Sequence, residues 1–214
     1  MEQLDHVVLA VSDLDQAKSD FETQTGVMPA DGGAHDGLGT RNALVAFDNN
    51  VYLEIIAPDP EQELEDTMGE KLSQLSSPRL LHWAIRSKNL NKVFDRADNI
   101  KLYPGQVKAM SRKVPDGPRM KWEVLGIGGH EDAGCVPFYI DWLRASHPTK
   151  KMPKVGNLKS FQVSIPTESL ALKLLTPAPK FVEIEEGHPK IALSFESPKG
   201  DISFEATNPT GFGF

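Results

Sequence analysis

The apolar positions of this chain recur in one order along its length. Residues 4 to 11, "LDHVVLAV", form a short apolar run of strand type, and "SDLDQAKSDFETQTG" follows with Leu14, Ala17 and Phe21 at helical spacing. Ser12 or Asp13 can cap that helix and Gly26 can end it, which predicts a helix of about 12 residues. "GGAHDGLGT" reads as a glycine-rich loop. "RNALVAF" and "VYLEIIAP" then read as two β-prone runs separated by "DNN", the chemistry of a hairpin.

A charged and serine-rich connector, "DPEQELEDTMGEKLSQLSSP", separates this unit from a second one in the same order: "LLHWAIRS" (strand), "KNLNKVFDRADN" (helix), "SRKVPDGPRMKWEVLGIG" (a hairpin turning at Pro-Asp-Gly-Pro) and "VPFYIDWL" (strand). A third pass gives "LKSFQVSI", the helical "PTESLALKLLT", then "KFVEIEE", "KIALSFES" and "DISFEAT". Three passes predict an α+β fold of tandem βαβββ modules with little sequence identity between them. The expected boundaries are 1–60 for the first module, 61–77 for the connector, 78–148 for the second module and 156–208 for a degenerate third. An odd module leaves a sheet edge open, which gives a route to a homodimer.

Superposing the units places "LDH", "LLH" and "LKS" together, so His6, His82 and Ser160 share one position of the first strand. The same exercise on "YLEI", "YIDW" and "SFEA" places Glu54, Asp141 and Glu205 at one position of the last strand. Alternation along a strand sends His6 and Val8 to one face, as it does Tyr52 and Glu54. If the strands line a common concave sheet, His6 and Glu54 meet His82 and Asp141 across a pseudo-twofold. Two imidazoles and two carboxylates suit a divalent metal (Zn, Ni, Fe, Co or Mn) with positions left for water or substrate. The plainer alternative is that each histidine is an ordinary structural residue and that Asp141 only ends its strand. Against it, Glu54 inside "YLEII" is a carboxylate in an apolar run, costly to bury without a partner. Glu205 has Ser160 where the others have a histidine and is not expected to be a ligand.

Composition narrows the rest. With 23 basic and 30 acidic residues the net charge is -7, and no basic cluster interleaved with aromatics is present, so nucleic acid is not an expected partner. The first residues, "MEQLDHVV", are acidic where a signal peptide is basic. No apolar run has the length of a membrane span, so a cytoplasmic chain with no membrane partner is expected. A lone Cys135 offers neither an internal disulfide nor a thiolate pair, and no base adjoins it in sequence to activate it as a nucleophile.

The paired βαβββ modules with "DHVVLAVSDLDQAKSDF", "YLE", "HW" and "FYIDW" resemble the vicinal oxygen chelate superfamily. The stretch "GGAHDGLGTRNALVAF…YLEIIAPDP" resembles its glyoxalase-like domain branch. The resemblance spans residues 3 to 148 and weakens in the third unit. It implies a divalent metal held by His6, Glu54, His82 and Asp141, the last shorter by one methylene than the usual Glu and so able to drop to an outer-sphere partner. It also implies an enzyme acting on a small-molecule substrate with vicinal oxygens, as a lyase or isomerase with Glu54 or Asp141 shuttling a proton, or as a dioxygenase if iron is bound. The alternative is a sequestering protein of the bleomycin-resistance type. His35, Arg41 and Asn42, in the "H…G…TRN" run, are expected to contact substrate, with His147 either covering the cup or only starting a turn with Pro148. The competing reading of Arg41 is a solvated side chain or one paired with a nearby acid.

Overall fold

A computed structural model describes residues 2–112, 120–128 and 134–209. The chain runs β1 (Gln3–Ala10), α1 (Leu14–Thr25), β2 (Ala30–His35), β3 (Thr40–Phe47), β4 (Tyr52–Pro58), α2 (Met68–Ser73), β5 (Arg79–Arg86), α3 (Leu90–Asn99) and β6 (Tyr103–Pro104). It continues with β7 (Lys108–Arg112), β8 (Met120–Leu125), β9 (Ile127–Gly128), β10 (Phe138–Asp141), β11 (Lys154–Gly156), β12 (Leu158–Ile165), α4 (Ala171–Leu174), β13 (Glu183–Glu186), β14 (Lys190–Ser197) and β15 (Gly200–Thr207). The Pro-Asp-Gly-Pro turn expected between β7 and β8 lies outside the described residues.

Helix α1 begins and ends where its capping chemistry directs. Asp13 accepts from the backbone N–H of Asp15 and Gln16, and Gly26 closes the helix at φ 82°, a left-handed conformation glycine adopts without strain. The glycine-rich segment departs from expectation: its first half is β2, antiparallel to β3. Gly33, at φ 143°, sits where the β2–β3 register shifts, which reconciles the glycines with an edge strand.

The first two modules, with β11 added beside β3, build one sheet in the order β11-β3-β4-β1-β5-β10-β8-β7, with β2 also on β3. In each module the first strand pairs in parallel with the last, β1 with β4 and β5 with β10, and the modules join through antiparallel β1 and β5. Edge strands β2 and β7 touch, so the sheet curls into a cup. The β1–β5 register pairs His6 with Ala84 and Val8 with His82, so a local twofold carries His6 onto His82.

One face of the curled sheet supplies the main core: Leu53, Trp83, Ile85 and Tyr139 pack with Leu14 and Phe21 of α1 and Val93 of α3. The third unit completes this layer. Its sheet, β13-β12-β14-β15, sends Phe161, Val163, Leu193 and Phe195 into the same core, with Phe161 against Trp83 and Phe195 against Phe47. It keeps the strand, helix, three-strand order of the modules, but β12 lies between β13 and β14 rather than pairing with the last strand. Its helix shrinks to four residues. The third unit therefore backs the cup, and among the described residues none of its side chains lines the cavity. The connector is largely solvated until α2, where buried Leu72 and half-buried Met68 pack against Val8, Ala10 and Ile56 at one end of the cup.

Candidate functional site

The other face of the sheet encloses a cavity of about 210 Å³. Its wall is aromatic and aliphatic, with Tyr52, Trp122, Phe138 and Trp142 the large rings, and its polar members are His6, His35, Asn42, Glu54, His82 and the exposed Lys108. Strand alternation explains the selection: Tyr52, Glu54 and Ile56 of β4 and Phe138 and Ile140 of β10 point in, while Leu53, Ile55 and Tyr139 enter the opposite core.

Four polar residues converge at one end. Glu54, 9 % exposed, accepts a 2.7 Å hydrogen bond from Asn42 Nδ2 through Oε1. Its Oε2 faces His6 Nε2 at 3.5 Å, and Oε1 lies 3.8 Å from His35 Nε2. Asn42 Nδ2 also lies 3.2 Å from His35 Nε2, and the other ring nitrogen of His35 meets Thr40 Oγ1 at 3.0 Å. The imidazole of His6 stacks on Tyr52, their ring centres 4.6 Å apart.

Behind His6 stands Asp5, which the sequence reading passed over. Its side chain is fully buried, and it accepts from His6 Nδ1 at 2.8 Å, from Trp142 Nε1 at 3.0 Å and from His147 Nε2 at 3.0 Å, with Arg86 Nε 3.5 Å away. Simple alternation would turn Asp5 away from its neighbour. The β1–β5 register, however, pairs Leu4 with Ile85 and His6 with Ala84, so Asp5 is the extra residue of a bulge. Burial alone raises the Asp5 carboxyl's pKa. The hydrogen bonds from His147 and His6, with the charges of both rings, outweigh burial and hold it well below the usual carboxylate range. Asp5 therefore stays ionised and fixes the His6 ring with Nδ1 as the donor.

The twofold shows how differently the second module is furnished. A second bulge on β5 makes Leu81 the counterpart of Asp5, since Val8 pairs with His82 and Leu9 with Leu80. Val8 faces Glu54 on β4, and Ala84 faces Phe138 on β10, so the counterpart of Glu54 is Phe138. The superposition of "YLEI" on "YIDW" is thus three residues out of register. An odd shift moves a side chain to the other face of a strand. Asp141 accordingly does not line the cavity, and it accepts from the backbone N–H of Leu143 at 2.8 Å. This corrects its expected place as a ligand and proton shuttle. His82 does line the cavity, but its Nε2 donates to the carbonyl of Val136 at 2.7 Å. The Phe138 ring contacts both histidines, 5.4 Å from His6 and 5.3 Å from His82 centre to centre.

Arg41 and His147 also lie elsewhere than expected. Arg41, one residue from Asn42, takes the outer face of β3, where its Nη2 donates to Asp15 of α1 at 2.9 Å. His147 does not line the cavity but holds Asp5 from behind, its Nδ1 2.8 Å from Thr149 Oγ1. It supports His6 through Asp5 rather than touching what enters the cup.

These placements do not fit the metal implied by the resemblance. The second module presents Phe138 where its carboxylate ligand would stand, and His82 Nε2 is bound to the carbonyl of Val136. Asn42 Nδ2 donates to Glu54 and approaches His35, where a cation would otherwise sit between them. Among the described residues no group of three or more His, Cys, Asp or Glu side chains is arranged to hold a metal ion. Exhaustive dialysis against a chelator is expected to leave the melting temperature and ligand binding unchanged. Loss of either, restored by Zn²⁺ or Ni²⁺, would contradict this reading of the donor set.

Residues 4–202 match the Glyoxalase-like domain family, and the chain belongs to it. A comparison with curated proteins gives no match. Among solved structures, the fold is similar to that of a hypothetical protein from Staphylococcus aureus, at 18% identity and a TM-score of 0.64, covering 97% of this chain and 86% of that one. Methylmalonyl-CoA epimerase from Mycobacterium tuberculosis aligns at 21% identity and a TM-score of 0.44, over 65% of this chain and 85% of the epimerase. A methylmalonyl-CoA epimerase in complex with methylmalonyl-CoA and NH4+ aligns at 17% identity and a TM-score of 0.46, over 69% of this chain and 99% of that one. Among the described residues no helix is long and apolar enough to cross a membrane.

Proposed function

We propose that this glyoxalase-like protein is an enzyme of lyase or isomerase type that removes a proton next to a carbonyl of a small substrate bound in the cup. The observation that carries the reading is Glu54, a carboxylate almost fully buried in an apolar cavity, held by Asn42 and faced by the Asp5-bound ring of His6. Burial of a carboxylate in such a wall costs several kcal/mol unless it is compensated, and a proton-transfer role gives the arrangement a use.

The division of labour follows from the geometry. Glu54, with Oε2 directed toward His6 at the cavity wall, is the general base. The charge that develops on the substrate's carbonyl oxygen needs a donor. The His6 ring, held by Asp5 at Nδ1 and with Nε2 turned toward Glu54, is the group placed to meet it. Asn42 fixes the Glu54 carboxylate, while the rings of Tyr52, Phe138 and Trp142 exclude water. No step passes through a metal.

A second reading, non-catalytic capture of a small molecule, is favoured by Phe138, which makes the second module's half of the cup apolar. One experiment separates the two: incubation in D2O with acyl thioesters, α-ketoaldehyde thiol adducts and 2-oxo acids, followed by mass spectrometry of the recovered compounds. Enzyme-dependent incorporation of one deuterium at the carbon beside the carbonyl supports the proposal. Tight binding of a panel member without incorporation supports capture instead.

A further inference from the structure

Five polar residues that line the cavity, His6, His35, Asn42, Glu54 and His82, have partners within the protein. Lys108 lines it too, but it is exposed and forms no ion pair with any described residue. It stands on β7 opposite Val124 of β8, which in turn stands opposite Ile140 of β10. Alternation puts these three on the inner face together with Met110 and Trp122, and all five line the cavity. The carboxylates of the adjoining strands take the other face: Glu123 stands opposite Ala109 and Asp141, and neither carboxylate lines the cavity. A lysine on an edge strand often serves to deter pairing with a further sheet. This edge, however, is already met by β2, and Lys108 is on its inner face.

The cavity therefore holds a carboxylate and a cation at separate places. Glu54 is held by Asn42 and faces His6, while Lys108 stands on the second module's wall. Between them the lining is apolar, with Val124, Ile140 and then Phe138, whose ring contacts His6. An ammonium at the rim of an apolar cavity attracts a negative group and repels a positive one. One ammonium balances one negative charge. A dianionic phosphate would bring a second, unbalanced charge into a cavity that already contains Glu54.

We infer that Lys108 is a specificity residue that selects a small carboxylic acid, binding the ligand's carboxylate while its apolar body lies along Val124, Ile140 and Phe138. This deepens the proposed function by naming the substrate class, and it rests on that reading only in taking the cavity as the small-molecule site.

The test uses binding alone. Dissociation constants are measured by calorimetry or ligand-observed NMR at neutral pH for two acid and amide pairs, octanoate against octanamide and 4-phenylbutyrate against 4-phenylbutanamide, with octyl phosphate as a further probe. The wild type is expected to bind each acid about three- to fivefold more tightly than its amide, the usual worth of a partly solvated ion pair. Lys108→Gln and Lys108→Met are expected to bring the ratio close to one, and Lys108→Arg to keep it. Lys121→Gln removes a charge of the same sign from an exposed position of β8 outside the cavity, and is expected to leave the ratio unchanged. A wild-type ratio near one, a ratio that survives loss of the Lys108 charge, or an equal fall in Lys121→Gln overturns the inference. Tighter binding of octyl phosphate than of octanoate overturns the carboxylate class. Failure of every probe to bind overturns it as well, while deuterium incorporation on another compound would leave the proton-transfer reading standing.

Discussion

Glu54→Gln is expected to lower enzyme-dependent deuterium incorporation by about 10²–10⁴-fold, the usual contribution of a positioned general base. The amide is close to isosteric and still offers Oε1 to Asn42 Nδ2, so the cavity keeps its shape and the affinity for a bound carbonyl compound should change little. The signature is a fall in kcat with KM nearly preserved, measured on whichever panel compound takes up label. An equal fall in affinity would mean that Glu54 binds rather than reacts. Incorporation at the wild-type rate would remove it from the chemistry altogether.

The second large effect belongs to Asp5, and it concerns stability as well as activity. Asp5→Asn replaces a buried anion that accepts from His6, Trp142 and His147. The amide's Nδ2 cannot accept, so it sets a donor against one or more of those donors. Breaking a buried charged network from one side costs about 3–5 kcal/mol, a large part of the stability of an ordinary domain. The pH dependence follows from the direction of the Asp5 shift. Its carboxyl is held below its ordinary value in the folded protein. The stabilisation it gives is therefore fully present above the unfolded value, about 4, and is lost progressively as the pH falls toward the lower folded value. Urea unfolding of wild type and Asp5→Asn at intervals from pH 7 down to pH 3 should show a wide gap at neutral pH that narrows in acid. A gap that is small at pH 7, or that widens below pH 4, would contradict the assignment.

Much of the architecture was written in periodicity. The strands around "HVVLAV", "ALVAF" and "YLEII" and the capped helix between them appear at the expected places because each buries a face whose spacing is fixed by its own geometry. His6 and Glu54 meet for the same reason: one β1–β4 register and one inward face. Three things were not legible. Asp5 lies beside His6 in sequence, and only a bulge, which depends on the pairing with β5, turns both toward one site. Asp141 occupies a Tyr-x-Asp that imitates the Tyr-x-Glu of the first module, while the pairing of β10 with β5 selects Phe138 instead. Local similarity of three residues was a weaker signal than ladder register. The glycines of "GGAHDG" argued for a loop by intrinsic preference, but pairing with β3 overrode that preference and carried His35 to the cavity. In the third unit the chain order of elements was readable and the strand pairing was not, since order along a chain does not fix neighbours in a sheet.

The cup is asymmetric: the first module carries Asp5, His6 and Glu54, and the second carries Leu81, His82 and Phe138 at the matching places. The most direct measurement compares His6→Gln with His82→Gln in the deuterium-incorporation assay, with melting temperatures recorded for both. An asymmetric site predicts that His6→Gln loses incorporation by about 10²-fold or more while His82→Gln retains most of it. Equal loss in both folded variants would mean that the two histidines act as a symmetric pair, and would contradict the account.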